Sequence, residues 1–307
     1  MPEDPKSQSI RLQAFEWLQQ KSLEYDDVLP HKVLNYEFKI NGERIPLIGA
    51  RGIFKPKVIS YYPISITTSP NSPYSDKIAG NVLIYKYRGT DPNHPDNVRL
   101  KKAMMERIPL IYFHGIVKGK YLSHFPVYIA GADDANLTFT VEADINSSKV
   151  WDSIEEGKVH EPLVDEVRRK YATTEVVIRL HQKMFREKVL IAYREHCSFC
   201  QLKHRELLDA AHIIEDSKGG EPIVQNGISL CKIHHAAFDK NILGINEDYR
   251  IEVRKDILEE VDGPMLRYGL QDLNHKKMNL PGSRKNYPDK KFIVDRYERF
   301  LGVGETG

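Results

Sequence analysis

Three cysteines and one histidine set the first chemical constraint on this chain. Cys197-Ser198-Phe199-Cys200 and Cys231-Lys232-Ile233-His234 form a C-x2-C turn and a C-x2-H turn. A zinc ion takes four tetrahedral nitrogen or sulfur ligands, and two such turns supply two each. With every position filled by protein, the site is closed and structural. It is expected to hold together a small module with little core of its own. The chain has 3 cysteines in all, and an odd, tightly clustered set makes a poor disulfide framework and a good metal site. The competing reading is buried free thiols beside a surface histidine.

A second group of chemically capable residues lies between and after these turns. It reads Leu208-Asp209-Ala210-Ala211-His212-Ile213-Ile214, then Gly219-Gly220, then Asn226-Gly227-Ile228-Ser229-Leu230, and finally His234-His235-Ala236-Ala237-Phe238-Asp239. Motif order, turns and knuckles from Cys197 to Leu243 together resemble the HNH family of ββα-metal nucleases. The resemblance implies that His212, at the end of a first strand, is a general base. A neutral imidazole near pH 7 can take a proton from water, and the hydroxide then attacks phosphorus. It also implies a divalent ion, Mg2+ or Mn2+, that offsets charge on the phosphorane and the leaving 3′ oxygen. His235 is the implied ligand at the start of the helix, and Asn226 holds the loop that orients the base. Many family members carry an acid or histidine directly before the catalytic histidine, where Ala211 stands here. Asp209, two residues back, shares a strand face with position 211. It is read either as the substitute metal ligand or as a structural hydrogen-bonding group, while Asp239 braces His235 or its helix.

Upstream, a different chemistry is suggested by Tyr74-Ser75-Asp76, Gly80-Asn81 and Tyr85-Lys86-Tyr87-Arg88-Gly89. Their order between Arg51 and Val141 is similar to the SRA family, β-barrel readers that flip a modified cytosine from the duplex. A flipped base needs flat partners on its faces and an acceptor for the cytosine amino group. The resemblance assigns Tyr74 and Tyr87 to stacking and Asp76 to the acceptor, with Lys86, Arg88 and Lys118 as phosphate contacts. The alternative is plain strand-face packing for the tyrosines and solvated surface for the cations.

The elements that must position these residues follow from periodicity. Ser9 to Leu23 carries apolar residues at helical spacing. Strand-like runs follow at Val58-Ile59-Ser60-Tyr61-Tyr62, Val82-Leu83-Ile84-Tyr85, Leu110-Ile111-Tyr112-Phe113 and Val127-Tyr128-Ile129, interrupted by a helix near Asn97 to Arg107. A long helix from Leu163 to Arg194 leads into Cys197, and a last helix spans Lys291 to Phe300. The expected fold class is α+β: an SRA/PUA-like β-barrel in residues 1–150, a linker and connecting helix in 151–190, and a zinc-bound ββα-metal HNH domain in 191–307.

Bulk properties fit this division. The 307 residues suffice for two cores, with 41% hydrophobic and 29% charged residues. No apolar run approaches the roughly 20 residues that span a bilayer, and the polar Met1 to Arg11 lacks the core of a secretion signal, so no membrane association and a cytoplasmic location are expected. The net charge of +2 does not mark a nucleic-acid binder, though a nuclease needs a basic face rather than a basic total. Two basic runs, Arg168 to Lys188 and Lys276 to Lys291, are either such faces or ordinary solvated surface. The combined expectation is a modification-dependent endonuclease acting on double-stranded DNA with 5-methyl- or 5-hydroxymethylcytosine. Because one HNH site cuts one strand, a homodimer is expected. A phosphorothioate reader fused to the same nuclease, a non-cleaving DNA-binding module and a nuclease of fixed sequence specificity are the alternatives.

Overall fold

Asp4 and Pro5 start the first helix. Asp4 accepts a hydrogen bond from the Ser7 amide at 3.0 Å and Pro5 fills the first turn, so α1 runs Pro5–Glu24, ahead of the Ser9 start that apolar spacing indicates. In the computed structural model, residues 3–69, 78–79, 82–143 and 180–304 are described. The chain divides into two units, Met1–Leu180 and His181–Gly307.

In unit 1, Ile10, Ala14 and Leu18 recur every fourth residue and are buried on one face of α1. That face and α2 (His31–Tyr36) pack with Leu47, Ile48, Ile64, Ile111 and Phe113. The main sheet contains β1 (Val28–Pro30), β4 (Ile53–Phe54), β5 (Ser65–Thr68), β6 (Ile78–Ala79), β7 (Val82–Lys86), β8 (Leu110–Val117), β9 (Lys120–Asp133) and β10 (Thr138–Ala143). A small separate hairpin pairs β2 (Lys39–Ile40) with β3 (Glu43–Arg44). The main order is β4-β5-β8-β9-β10-β7-β6, with β1 on β9. Only β5 and β8 run parallel among these pairs, and the chain between them contributes β7 and α3 (Pro95–Met105). The sheet curls into a half barrel. Its end strands β4 and β6 have 2 residues each, so where a β-barrel is expected the described residues form a half barrel.

Strand alternation sorts β8. Ile111 and Phe113 join the helix-covered core, so Tyr112 and His114 face the other side of the sheet. The run Val58 to Tyr62, expected as a strand, is instead a series of turns. Pro56 and Pro63 bracket it, the Ile59 amide donates to the Pro56 carbonyl at 3.2 Å, and Ile59 and Tyr62 serve as buried anchors.

Unit 2 is a helix, a hairpin and a helix with a C-terminal extension. The helix α4 is described over residues 180–192. Strands β11 (Leu208–His212) and β12 (Gly227–Cys231) pair antiparallel, with Asp209 opposite Leu230 and His212 opposite Gly227. Helix α5 (Lys232–Asp239) follows β12 with no intervening loop. A second hairpin joins β13 (Leu243–Ile245) to β14 (Ile251–Val253). The chain then runs through α6 (Lys255–Glu259) and α7 (Pro264–Gly269) to α8 (Lys290–Gly304). The expectation of a module with little core needs correction. Phe185 and Val189 of α4, Leu208, Ile228, Leu230, Phe238, Ile245, Ile251 and Ile293 of α8 form one buried cluster, each such side chain contributing about 1.5–3 kcal/mol. The supplement comes from α4 and from the segments after α5. Residues 144–179, most of the expected linker, lie outside the described residues. No helix among the described residues is long and apolar enough to cross a membrane.

Candidate active site and metal centre

The loopless junction of β12 and α5 makes half of the metal centre. Cys231 is the last residue of β12, and His234 lies within the first turn of α5. The other half is the turn after α4, closed by the Cys197 amide donating to Leu202 O at 2.8 Å and the Gln201 amide to Cys197 O at 3.0 Å. The three sulfurs and a His234 ring nitrogen all lie within 4.8 Å of one another. His234 Nδ1 stands 3.4 Å from Cys197 Sγ and 3.3 Å from Cys231 Sγ. A tetrahedron with Zn–S near 2.3 Å and Zn–N near 2.0 Å has edges of about 3.6 Å. His234 Nε2 is 2.8 Å from the Gly269 carbonyl. A carbonyl only accepts, so Nε2 carries a proton, and Nδ1 is the nitrogen turned toward the sulfurs and available to a metal ion. Hydrogen bonding from Cys197, then Cys200, holds the Cys231 thiol far below its ordinary value, so a thiolate is at hand. The cluster can bind a metal ion, and its donor set suits zinc.

His212 is half-buried at the end of β11. Its ring stacks on Phe185 of α4 with centroids 3.9 Å apart and planes 14° apart. A Cβ on Gly227, the cross-strand partner, would stand 2.9 Å from the Phe185 ring and 2.4 Å from Val189 Cγ2. Glycine is therefore what lets α4 come close enough to seat Phe185 on the imidazole. Burial pushes the His212 imidazole below its ordinary 6.5, because desolvation disfavours the charged ring. A ring that stays neutral at pH 7 can accept a proton.

Asn226 is fully buried. Its Oδ1 accepts from the Ile214 amide at 2.8 Å, and its Nδ2 donates to Ile214 O and Glu221 O, both at 2.9 Å. One side chain thus closes the loop that leaves His212 and returns to β12. Asn226→Ala would leave one donor and two acceptors of that loop without this partner, at about 1–3 kcal/mol for each that stays buried and unpaired. The expected result is a loss of about 2–4 kcal/mol in denaturant unfolding and a clear drop in single-turnover cutting. Cutting at the parental rate would show that the loop closure does not position the base.

Asp209 meets α5. Its Oδ2 lies 3.8 Å from His235 Nδ1, a separation that one ion with ligand distances of about 2.1 Å can bridge. Lys232 Nζ is 3.2 Å from the same oxygen, and Arg186 Nε is 3.4 Å from Oδ1. His235 first, then Lys232 and Arg186, hold the Asp209 carboxyl far below the usual carboxylate range. Asp209 in turn raises His235. Asp239 Oδ2, one turn along α5, is 3.4 Å from His235 Nε2, so His235 sits between two carboxylates. An ionised carboxylate and an imidazole nitrogen at this spacing fit a divalent ion.

Several residues that build the site carry no motif. Phe185 reads as an ordinary apolar helix position. Arg186 donates from Nη2 to Leu208 O at 2.8 Å, tying the start of β11 to α4. Arg296 is 5% exposed. It donates to Phe238 O at 2.5 Å and so caps the C-terminal end of α5 with a cation.

In unit 1, Tyr74 and Asp76 lie outside the described residues. Tyr87 is 6% exposed, with its ring 4.3 Å from Phe139 and its hydroxyl donating to Asp134 at 2.7 Å. Arg88 is paired with Asp96, Lys86 Nζ lies 3.5 Å from Asn136 O, and Lys118 is exposed in the β8–β9 turn. Sequence reasoning passed over a buried polar group on β8. His114 Nδ1 is 2.9 Å from Tyr112 Oη and 3.2 Å from Thr68 Oγ1.

No curated protein matches the chain. Solved structures that match include the modification dependent TagI restriction endonuclease, 14% identical with a TM-score of 0.29, covering 78% of this chain and 82% of that one. They also include the type IV phosphorothioation-dependent restriction endonuclease ScoMcrA, 12% identical with a TM-score of 0.20, covering 79% of this chain and 57% of that one. The HNH endonuclease family matches residues 197–246, the stretch that holds the cysteine cluster, His212, Asn226 and His235. The chain therefore carries an HNH endonuclease domain in unit 2 and is a nuclease.

Proposed function

We propose that the chain is a modification-dependent DNA endonuclease, in which unit 1 finds 5-methyl- or 5-hydroxymethylcytosine by base flipping and unit 2 cuts nearby. One observation carries the cutting half: the hairpin and helix bring Asp209 within 3.8 Å of His235 and end β11 on a desolvated His212. In this reading His212 takes a proton from water, the hydroxide attacks phosphorus, the P–O3′ bond breaks, and the leaving oxygen is protonated from solvent. Held by Asp209 and His235, magnesium or manganese would offset the charge that builds on the phosphorane and leaving oxygen. Asn226 fixes the loop behind the base. Zinc on Cys197, Cys200, Cys231 and His234 would be structural, since protein fills all four positions.

The reading half is supported by residue order in unit 1 and its resemblance to the SRA family. That resemblance assigns the base pocket to Tyr74, Asp76 and Tyr87, and of these Tyr87 packs its ring on Phe139 and donates its hydroxyl to Asp134. Lys86, Arg88 and Lys118 contact phosphates around it. One hydrolytic site cuts one strand, so a double-strand break calls for a homodimer, formed before or on the DNA. A cytoplasmic setting would keep the three thiols reduced.

A plasmid panel tests the whole reading. Methylated, hydroxymethylated, phosphorothioated and plain plasmids are incubated with the protein while the divalent ion is varied. The expected result is linearisation of the methylated or hydroxymethylated plasmid alone, and only with an added divalent ion. Cutting confined to phosphorothioated DNA would make unit 1 a sulfur reader. Cutting of plain DNA would indicate fixed sequence specificity, and binding without cutting in every ion would refute the catalytic assignment.

A further inference from the structure

The HNH match ends at residue 246, yet the chain folds a basic segment back onto the catalytic hairpin. Gln225 Nε2 donates to Lys285 O at 2.8 Å, and the Asp289 amide donates to Gln225 O at 3.0 Å. Tyr249 Oη donates to Pro288 O at 2.9 Å. Gln225 directly precedes Asn226 and Gly227, and Gly227 is the cross-strand partner of His212. The segment is therefore anchored at Gln225, two residues before the strand partner of His212.

Arg284, Lys285 and Lys291 of this segment are exposed. None of them is ion-paired with a carboxylate among the described residues. The acid of the segment, Asp289, accepts a hydrogen bond from the Lys291 amide at 2.9 Å and is engaged as the cap of α8. Lys218 and Lys255, by contrast, are ion-paired with Glu215 and Glu259. Cations held on a fixed backbone beside a hydrolytic site, with no protein counter-ion, match what a phosphodiester strand requires.

We propose that Arg284, Lys285 and Lys291 form a shoulder that receives backbone phosphates of the DNA flanking the cut. The inference rests on the nuclease reading of unit 2 and adds a binding surface outside the HNH residues. The contact is to phosphate and is independent of base sequence. It sets affinity and register, while base selection stays with unit 1.

The test uses the full chain with Arg284→Gln and Lys285→Gln combined. Binding is titrated against a fluorescein-labelled duplex with one central 5-methylcytosine, without added divalent ion, over a sodium chloride series. Each phosphate contact contributes about 0.9 to the log–log salt slope, so the slope should fall by about 2, with affinity about tenfold weaker near 0.1 M salt. Lys255→Gln, at a lysine already paired, should keep the parental slope. Unchanged melting of the double variant verifies its fold, which two exposed side chains should not disturb. If the parent cuts DNA and the double variant keeps parental slope and affinity, the shoulder is ordinary solvated surface and the proposal fails alone. If the parent neither binds nor cuts any duplex, the nuclease reading fails with it.

Discussion

A His212→Ala variant is expected to bind duplex DNA as the parent does and to cut it about 10²- to 10⁴-fold more slowly, the usual range for a positioned general base. The reason lies in the ring's surroundings. Phe185 covers one face at 3.9 Å, which fixes the plane of the imidazole and removes water from it. Desolvation lowers the imidazole below 6.5, which favours the neutral ring at pH 7. In the proposed role the neutral ring is the active form, so the cutting rate should climb as pH rises through that lowered value and level above it. Replacing Phe185 by leucine uncovers the ring. The acid limb should then move up toward pH 6.5, and the plateau should fall because the ring can turn. Phe185→Tyr keeps a flat partner and should restore most of the rate. Single-turnover cutting across pH separates these outcomes. Undiminished cutting by His212→Ala would remove this residue from the chemistry.

What the sequence conveys well is chemistry carried by residue type at short range. Two cysteines three positions apart, or a cysteine and a histidine so spaced, meet on one turn whatever the rest of the chain does. The neighbouring His234 and His235 point about 100° apart on a helix. One therefore reaches the sulfurs while the other reaches Asp209. Asn226 is legible for the same reason, since its partners at Ile214 and Glu221 lie in its own loop.

Tertiary contacts are what the sequence hides. Phe185 meets His212 through packing of α4 on the hairpin, and apolar periodicity tells only that it is buried. Asn226-Gly227 reads as a turn signal, but Gly227 is needed because Phe185 and Val189 occupy the place of its side chain. Arg296 sits among charged residues and reads as solvated, although it is buried against Phe238. Val58 to Tyr62 shows the opposite failure. Its β-branched and aromatic residues favour a strand, and two flanking prolines override them. The half barrel depends on strand pairings between distant segments, and 2-residue strands such as β4 leave no periodic trace.

Loss of the cysteine cluster should have the largest effect on stability. The purified chain is expected to contain one zinc ion per chain, and Cys231→Ser or His234→Ala to contain little. Structural zinc contributes about 10–16 kcal/mol to the folding of small zinc modules, whereas a whole domain is stable by about 5–15 kcal/mol. Unit 2 has a larger core than such modules, through Phe185, Leu230, Phe238 and Ile293, so the loss should be partly absorbed. It is not fully absorbed, because Cys197 and His234 are themselves 0% and 3% exposed and would be left without the ion that satisfies them. A fall of at least about 10 °C in the melting of unit 2 is expected, with unit 1 retaining its own transition and DNA cutting lost. His234→Cys should hold zinc through four sulfurs and keep most of the fold, although it gives up the hydrogen bond to Gly269 O. Chelation separates the two metals of this reading. After treatment with phenanthroline, added zinc should restore the unit 2 transition while magnesium alone should not, since Asp209 and His235 can recruit the second ion only once the corner at Cys231 has folded. A parental melting curve in protein shown to be free of zinc would overturn the structural role.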